Sequence, residues 1–266
     1  EAIDNYSAYI YQYCPANGMA VYKMSIPNPN SGNVDEPLED AVFTLETEWQ
    51  RGTAFGNAPS NIDGDDARQG TAHNGIIYVN NREEKKLHLF GSDATYLGSI
   101  PGGAGYGCDC DDVGNIIIRN ENNATVNRQV IIYPAGATVE NPGTPITVDI
   151  TLPAGFTGNA HFVSASGNVL GGEGGYIYIF PQMSSSGINS VCVAKIVNGE
   201  VVNVTSIDGL SMATTAAGHV TPIENNPQKF LYQERGNGHY LYNSGSDTEY
   251  IKAGNATQPN CNTTIG

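Results

Sequence analysis

The sequence predicts an all-β chain built as a β-propeller of five blades, or six if the region 41–68 hides another. Three observations carry this prediction. Short apolar and aromatic runs recur along the 266 residues between Asn/Gly-rich turns, with 32 glycines marking turns rather than long helices. Four small-residue segments head these runs: GTAH (70–73), GYGC (105–108), GNAH (158–161) and AAGH (216–219). Their spacings of 35, 53 and 58 residues are irregular but near the ~40–50 residues of a propeller blade. Finally, a hairpin plus one strand cannot bury its own faces, so each unit needs neighbours of its kind. Narrow first strands of small residues suit the crowded axis of such a ring, and residues 1–266 read as one domain.

In chain order, SAYIYQY and MAVYKMSI flank Cys14-Pro15-Ala16-Asn17-Gly18, a hairpin signal. Pro27 to Asp35 is a Pro/Asn/Gly/Ser-rich loop. From Ala41 to Trp49, Leu38, Val42, Leu45 and Trp49 would share a helical face, with Pro37 suited to a helix start. Phe43 and Leu45 also fit strand alternation, and a strand is preferred because it completes the preceding pair. The unit from Gly70 continues through Ile76–Val79, Leu87–Phe90 and Tyr96–Ile100. The next begins at Gly105, where Asp112-Val113-Gly114-Asn115 forms a tight turn into Ile116-Ile117-Ile118. The third begins at Gly158 and holds a hairpin signal at Asn198-Gly199; the fourth begins near Gly218. The N-terminal segment lacks a first strand. The tail Gln258–Gly266 is expected to supply it, closing the ring with a composite blade from both termini.

Net charge is −15, from 27 acidic against 12 basic residues, which makes nucleic acid a poor partner and suits solubility in an extracellular setting. No window of about 18 apolar residues suggests a membrane span. The chain opens on Glu1 without a signal-type segment and reads as a processed or trimmed chain. Five N-x-S/T sequons do not establish glycosylation in so Asn- and Thr-rich a sequence.

The acidic, Asn/Gly-rich pattern, with DVGNIII at Asp112–Ile118 and GIIYV at Gly75–Val79, resembles the β-propeller domains of Bacteroidetes surface and secreted proteins. Those domains are often associated with glycan uptake and are broadly similar to NHL-type propellers. The resemblance spans most of the chain and implies the fold; it brings no catalytic motif and no functional residue.

His73, His161 and His219 hold the same place in three of the four aligned segments, with Cys108 in the fourth. On innermost strands they would converge near the axis as a divalent-metal site or an acid–base cluster, with Asp109 and Asp111 adding carboxylates. The weightier alternative is that these histidines cap or bridge neighbouring blades. Cys108-x-Cys110 is no redox or zinc motif and reads as small buried residues. Cys14 and Cys261 lie in the two pieces of the composite blade, where a disulfide would lock the ring; the alternative is two free thiols. Asn61–Asp66 offers oxygen ligands for calcium or is a solvated acidic loop. Trp49, Tyr96, Tyr106 and Tyr240 are candidates for a carbohydrate-stacking platform, although most aromatics in such a chain pack internally. There is no G-x-S-x-G elbow and no phosphate loop.

The first expectation is therefore a non-catalytic extracellular or cell-surface binding protein, with a glycan or protein ligand on one propeller face and no cofactor. The second is a metal-dependent lyase or hydrolase acting on a saccharide or lactone through the histidine cluster. The third is a structural subunit of a surface assembly.

Overall fold

In the computed structural model the chain forms five four-stranded antiparallel sheets arranged as a five-bladed β-propeller. The structure describes residues 2–4, 7–14, 18–25, 44–52, 62, 67, 69–120, 127–154, 160–181, 190–210, 218–234 and 239–251. The first sheet is β1 (Ala2–Asp4), β2 (Ser7–Cys14), β3 (Gly18–Ser25) and β4 (Thr44–Gly52). The second is β5 (Gly70–His73), β6 (Ile76–Asn81), β7 (Lys86–Gly91) and β8 (Tyr96–Pro101). The third is β9 (Cys108–Cys110), β10 (Ile116–Arg119), β11 (Asn127–Tyr133) and β12 (Ile146–Thr151). The fourth is β13 (Ala160–Gly167), β14 (Gly175–Pro181), β15 (Ser190–Val197) and β16 (Glu200–Asp208). The fifth is β17 (Gly218–Pro222), β18 (Lys229–Glu234), β19 (His239–Asn243) and β20 (Ser246–Ile251).

GTAH is β5 itself, and the described parts of the other three small-residue segments include the first residues of β9, β13 and β17; these first strands touch in succession, β5 to β9 to β13 to β17. Within the 41–49 region, residues 44–49 are strand, as preferred, and 41–43 lie outside the described residues; β4 pairs with β3 and completes the first sheet. The place given in the sequence to the tail 258–266 is filled by β1, which pairs with β2 through Ala2↔Ala8 and Asp4↔Ser7. A three-residue strand without glycine, Ala-Ile-Asp, carries no pattern that marks it in the sequence. Residues 252–266 lie outside the described residues.

Asn198-Gly199 turns β15 into β16 with φ of 50° and 77°, and Asn74-Gly75 turns β5 into β6 with 49° and 74°. Both are left-handed pairs that match strand twist, which is why Asn and Gly stand there.

The core lies between the sheets. Met19, Val21, Ile77 and Phe90 join the first to the second. Leu87, Leu89, Ile116 and Ile118 join the second to the third. Ile132, Ile150, Val163 and Ile177 join the third to the fourth, and Val191, Val193, Phe230 and Tyr232 join the fourth to the fifth. Inner strands of such a stack bury both faces while outer ones such as β12 and β16 stay largely exposed, so the inner run Ile116-Ile117-Ile118 is continuous rather than alternating, and all three side chains are fully buried.

Candidate functional site

Near the axis lies a cavity of about 540 Å³. One side is formed by the first strands β5, β9 and β17 with the residue before β5: Gln69, Thr71, Asp109, His219 and Thr221. The other is formed by β2 and β3 of the first sheet, including Ile10, Met19 and Met24. Ile10, one of the lining residues, is 38% exposed.

Gln69 reaches from the second sheet across to the fourth. Its Nε2 donates to the carbonyl of Val163 at 2.7 Å, and its Oε1 accepts from the Val163 N–H at 3.2 Å. This two-point contact fixes which end of the amide is which. The same Nε2 lies 3.1 Å from Nε2 of His219. An amide nitrogen can only donate, so His219 Nε2 accepts and the ring carries its proton on Nδ1. His219 is buried against Phe162, and burial, which penalises the charged imidazolium, lowers its pKa to about 4. The ring is therefore neutral at ordinary pH.

Asp109 stands on β9 between these pieces. Its Oδ1 accepts from Thr71 Oγ1 at 3.2 Å and from the Cys110 N–H at 2.9 Å, and its Oδ2 accepts from the Ala165 N–H at 3.0 Å. Burial raises its pKa to about 7 despite these three donors, and neighbouring Asp111 adds to the rise. The carboxyl is thus poised near neutrality in a cavity wall.

Below this, the turn after β9 clamps the third sheet to the fourth. Asp111 is buried and its carboxylate accepts four hydrogen bonds: from the N–H groups of Val113 (3.2 Å), Asn115 (2.9 Å) and Val169 (2.9 Å), and from Asn115 Nδ2 (2.7 Å). Asp112 Oδ2 accepts from the Gly167 N–H at 2.8 Å. Backbone N–H groups from Val163 to Val169 are thus satisfied in turn by Gln69, Asp109, Asp112 and Asp111, which seals a strand edge that no fifth strand covers.

Of the residues expected to hold a metal, Asp109 and His219 line the same cavity. His73 does not join them. It ends β5, four residues or roughly 13 Å of extended chain beyond Gln69. Its ring packs on Gly114, where an added Cβ would come within 2.3 Å of it. The side chain of His161 lies outside the described residues. Among the described residues no three His, Cys, Asp or Glu side chains form a group able to hold a metal ion. Gly114 has φ of +90°, so Gly114→Ala combines backbone strain with that clash. We expect it to cost about 2 kcal/mol, read as a lowered urea midpoint. An unchanged midpoint would show that His73 moves aside freely.

The three aromatic candidates with described side chains, Tyr96 on β8, Tyr106 ahead of β9 and Tyr240 on β19, do not form one platform. Tyr106 is buried, with Arg82 4.1 Å above its ring, and Tyr240 stacks on Tyr232 at 5.1 Å. Tyr96, 48% exposed on outer strand β8, hydrogen-bonds through its hydroxyl to His88 Nδ1 at 3.1 Å. Trp49 is on outer strand β4, and its side chain lies outside the described residues. Tyr11, an aromatic lining the cavity, was not singled out in the sequence. Cys108, Cys110 and Cys192 are unpaired, and burial raises all three thiols, Cys108 and Cys192 to about 12, so none is a ready nucleophile. The side chain of Cys14 and all of Cys261 lie outside the described residues, as does the 61–66 loop apart from Ile62.

Sequence reasoning missed Gln69, because a single glutamine ahead of a strand carries no local signal and its partner lies 94 residues away. It also missed Ile10, Met19 and Met24 as cavity wall. Their alternation gave a half-buried hairpin without showing what the buried face meets.

No protein-family model matches the chain, and no curated protein matches it. Solved structures resemble it in fold. A DUF4623 family protein from Bacteroides eggerthii superposes over 94% of this chain and 61% of its own, with a TM-score of 0.52 and 12% identity. Hydrazine synthase of Kuenenia stuttgartiensis matches over 88% of this chain and 59% of its own, at a TM-score of 0.45 and 9% identity. Apo AztD from Citrobacter koseri matches over 92% and 60%, at 0.40 and 10%. The chain spans about six tenths of the length of each. At these identities the likeness to the Bacteroides protein supports the propeller fold alone. Among the described residues no helix is long and apolar enough to cross a membrane.

Proposed function

We propose that the chain is a non-catalytic binding protein that works outside the cell or on its surface, and that its ligand enters the axial cavity. One observation carries the reading: a cavity of about 540 Å³, apolar over most of its wall, onto which Gln69, Thr71, Asp109, His219 and Thr221 converge. Its size falls in the range of small-molecule sites, and a few placed polar groups in an apolar wall are how such sites orient a ligand. The acidic surface, at a net charge of −15, suits an extracellular setting. Support for a flat glycan platform is weaker, since Tyr106 and Tyr240 are engaged in packing. A sugar small enough to enter the cavity remains within the reading.

Saturation-transfer NMR with 2-phenylethanol, cyclohexanol and methyl glucoside tests it, with Ala72→Phe as a variant that fills the cavity from β5. We expect contact with at least one probe in the parent protein and its loss in Ala72→Phe. Signals from none of the probes, or signals that Ala72→Phe leaves unchanged, would remove the cavity as the binding site.

A second reading, acid–base catalysis on a saccharide or lactone, is favoured by the carboxyl of Asp109 standing near neutrality in the same cavity. His219, in the wall of the same cavity, is held neutral by burial and engaged by Gln69, so it does not supply a second proton. Turnover of a nitrophenyl glycoside or a simple lactone, lost in Asp109→Asn, would promote this reading over the first.

A further inference from the structure

Resting on the reading of the cavity as a binding site, we infer that its ligand is an organic cation: a primary amine on a compact apolar body, with the ammonium group set against Asp109 and Thr71. The inference comes from the balance of groups in the wall. Among the described lining residues Asp109 is the single carboxylate, and none is Lys or Arg. His219 contributes no positive charge, because its Nε2 accepts from Gln69. An anion entering this space would meet a carboxyl and no cation.

The hydrogen-bond inventory leaves room for an ammonium group. Oδ1 of Asp109 already accepts twice, from Thr71 and Cys110, whereas Oδ2 accepts once, from Ala165. With two lone-pair sites on each oxygen, one remains on Oδ2. Thr71 spends its single hydroxyl hydrogen on Asp109 and also hydrogen-bonds the Cys110 side chain, so one lone pair of its oxygen is left to accept. Two acceptors on bonded residues of the same cavity wall suit the several donors of an ammonium group. They suit an inorganic divalent ion poorly, since hard cations take six or more oxygen ligands and no cluster of three acidic, His or Cys ligands lies here among the described residues.

Apart from the hydroxyls of Tyr11 and Thr221, the rest of the wall, including Ile10, Met19, Met24 and Pro222, offers apolar contact and no further charge, so the body of the ligand is mainly apolar. Methionine side chains adapt to such bodies readily. A cation would also relieve the wall itself, because burial now pushes the Asp109 carboxyl up to about 7 and a charge partner favours its ionised form. At long range a net charge of −15 draws cations toward the molecule.

Three isosteric probes test the inference: 2-phenylethylamine, 2-phenylethanol and phenylacetate, titrated calorimetrically into the whole chain at pH 7.5 and low salt. The amine is expected to bind on the order of tenfold more tightly than the alcohol, as a charge-assisted bond replaces a neutral one, and phenylacetate more weakly than either. Asp109→Asn should abolish the roughly tenfold preference for the amine over the alcohol. Thr71→Val, which keeps side-chain shape, should weaken the amine by a smaller factor and serves if Asp109→Asn does not fold. Equal binding of amine and alcohol, or an amine affinity untouched by both substitutions, overturns the inference and leaves the cavity as a site for neutral ligands. Failure of all three probes to bind overturns both.

Discussion

Asp111→Ala is expected to destabilise the fold by about 4 kcal/mol, the largest effect of any single polar substitution considered for this protein. The carboxylate is buried and receives four N–H donors. Three of them close the turn between β9 and β10, and the fourth, from Val169, lies in the turn between β13 and β14 of the next sheet. Removing the acceptor leaves these donors without it where water enters poorly, and each unsatisfied buried group costs about 1–3 kcal/mol before relaxation. Asp111→Asn keeps one acceptor oxygen and should lose about half as much. Urea denaturation followed by tyrosine fluorescence measures both. A loss below about 1 kcal/mol for Asp111→Ala would mean that the third and fourth sheets are held by their shared apolar layer alone.

Asp109 and His219 are expected to impose opposite pH dependences on stability. Burial raises the Asp109 carboxyl from 3.8 to about 7, so the folded protein keeps a proton that the unfolded chain has released. Its contribution is greatest below about pH 4 and is lost as pH rises toward 7. Burial lowers His219 from 6.5 to about 4, so here the unfolded chain holds a proton that the folded protein lacks. That contribution is complete above about pH 6.5 and is lost as pH falls toward 4. Each amounts to about 3–4 kcal/mol over its full window at 1.36 kcal/mol per pH unit. In the parent protein the two oppose one another across the overlapping range. Asp109→Asn should therefore lose stability on acidification from pH 6.5 to 4.5 more steeply than the parent. His219→Gln, which can still accept from Gln69, should gain relative to it over the same range. Urea midpoints at three pH values decide the matter, since every other titrating group is common to both variants. Parallel pH profiles would show that water reaches both side chains freely.

The ring was legible because its physics is local and repeated. A strand of small residues, a left-handed Asn-Gly turn and an apolar run buried on both faces each leave a pattern in sequence, and β5, β9, β13 and β17 follow from them. The site was legible only in part. Asp109 and His219 reach one cavity because both sit near the start of a first strand. Aligning the segments by their last residue placed His73 beside them, but β5 begins at Gly70 and carries that histidine at its far end. Strand register, which the sequence pattern left open, decided which histidine faced the cavity. Tyr106 and Tyr240 show the same limit, because composition does not say whether a tyrosine meets a ligand or another ring. Gln69 was beyond reach, since its importance lies wholly in residues from two other sheets.

That glutamine has a bearing on how such rings change in size. Its side chain runs like a spoke from the second sheet to Val163 in the fourth, over the third that stands between them. Duplicating a blade is the simplest way for a repeat protein to grow, and it would widen the circle by pushing opposite sheets apart. A spoke of fixed length cannot follow, and His219 would lose its hydrogen-bond donor with it. A six-membered descendant would have to surrender this cross-brace before it could close.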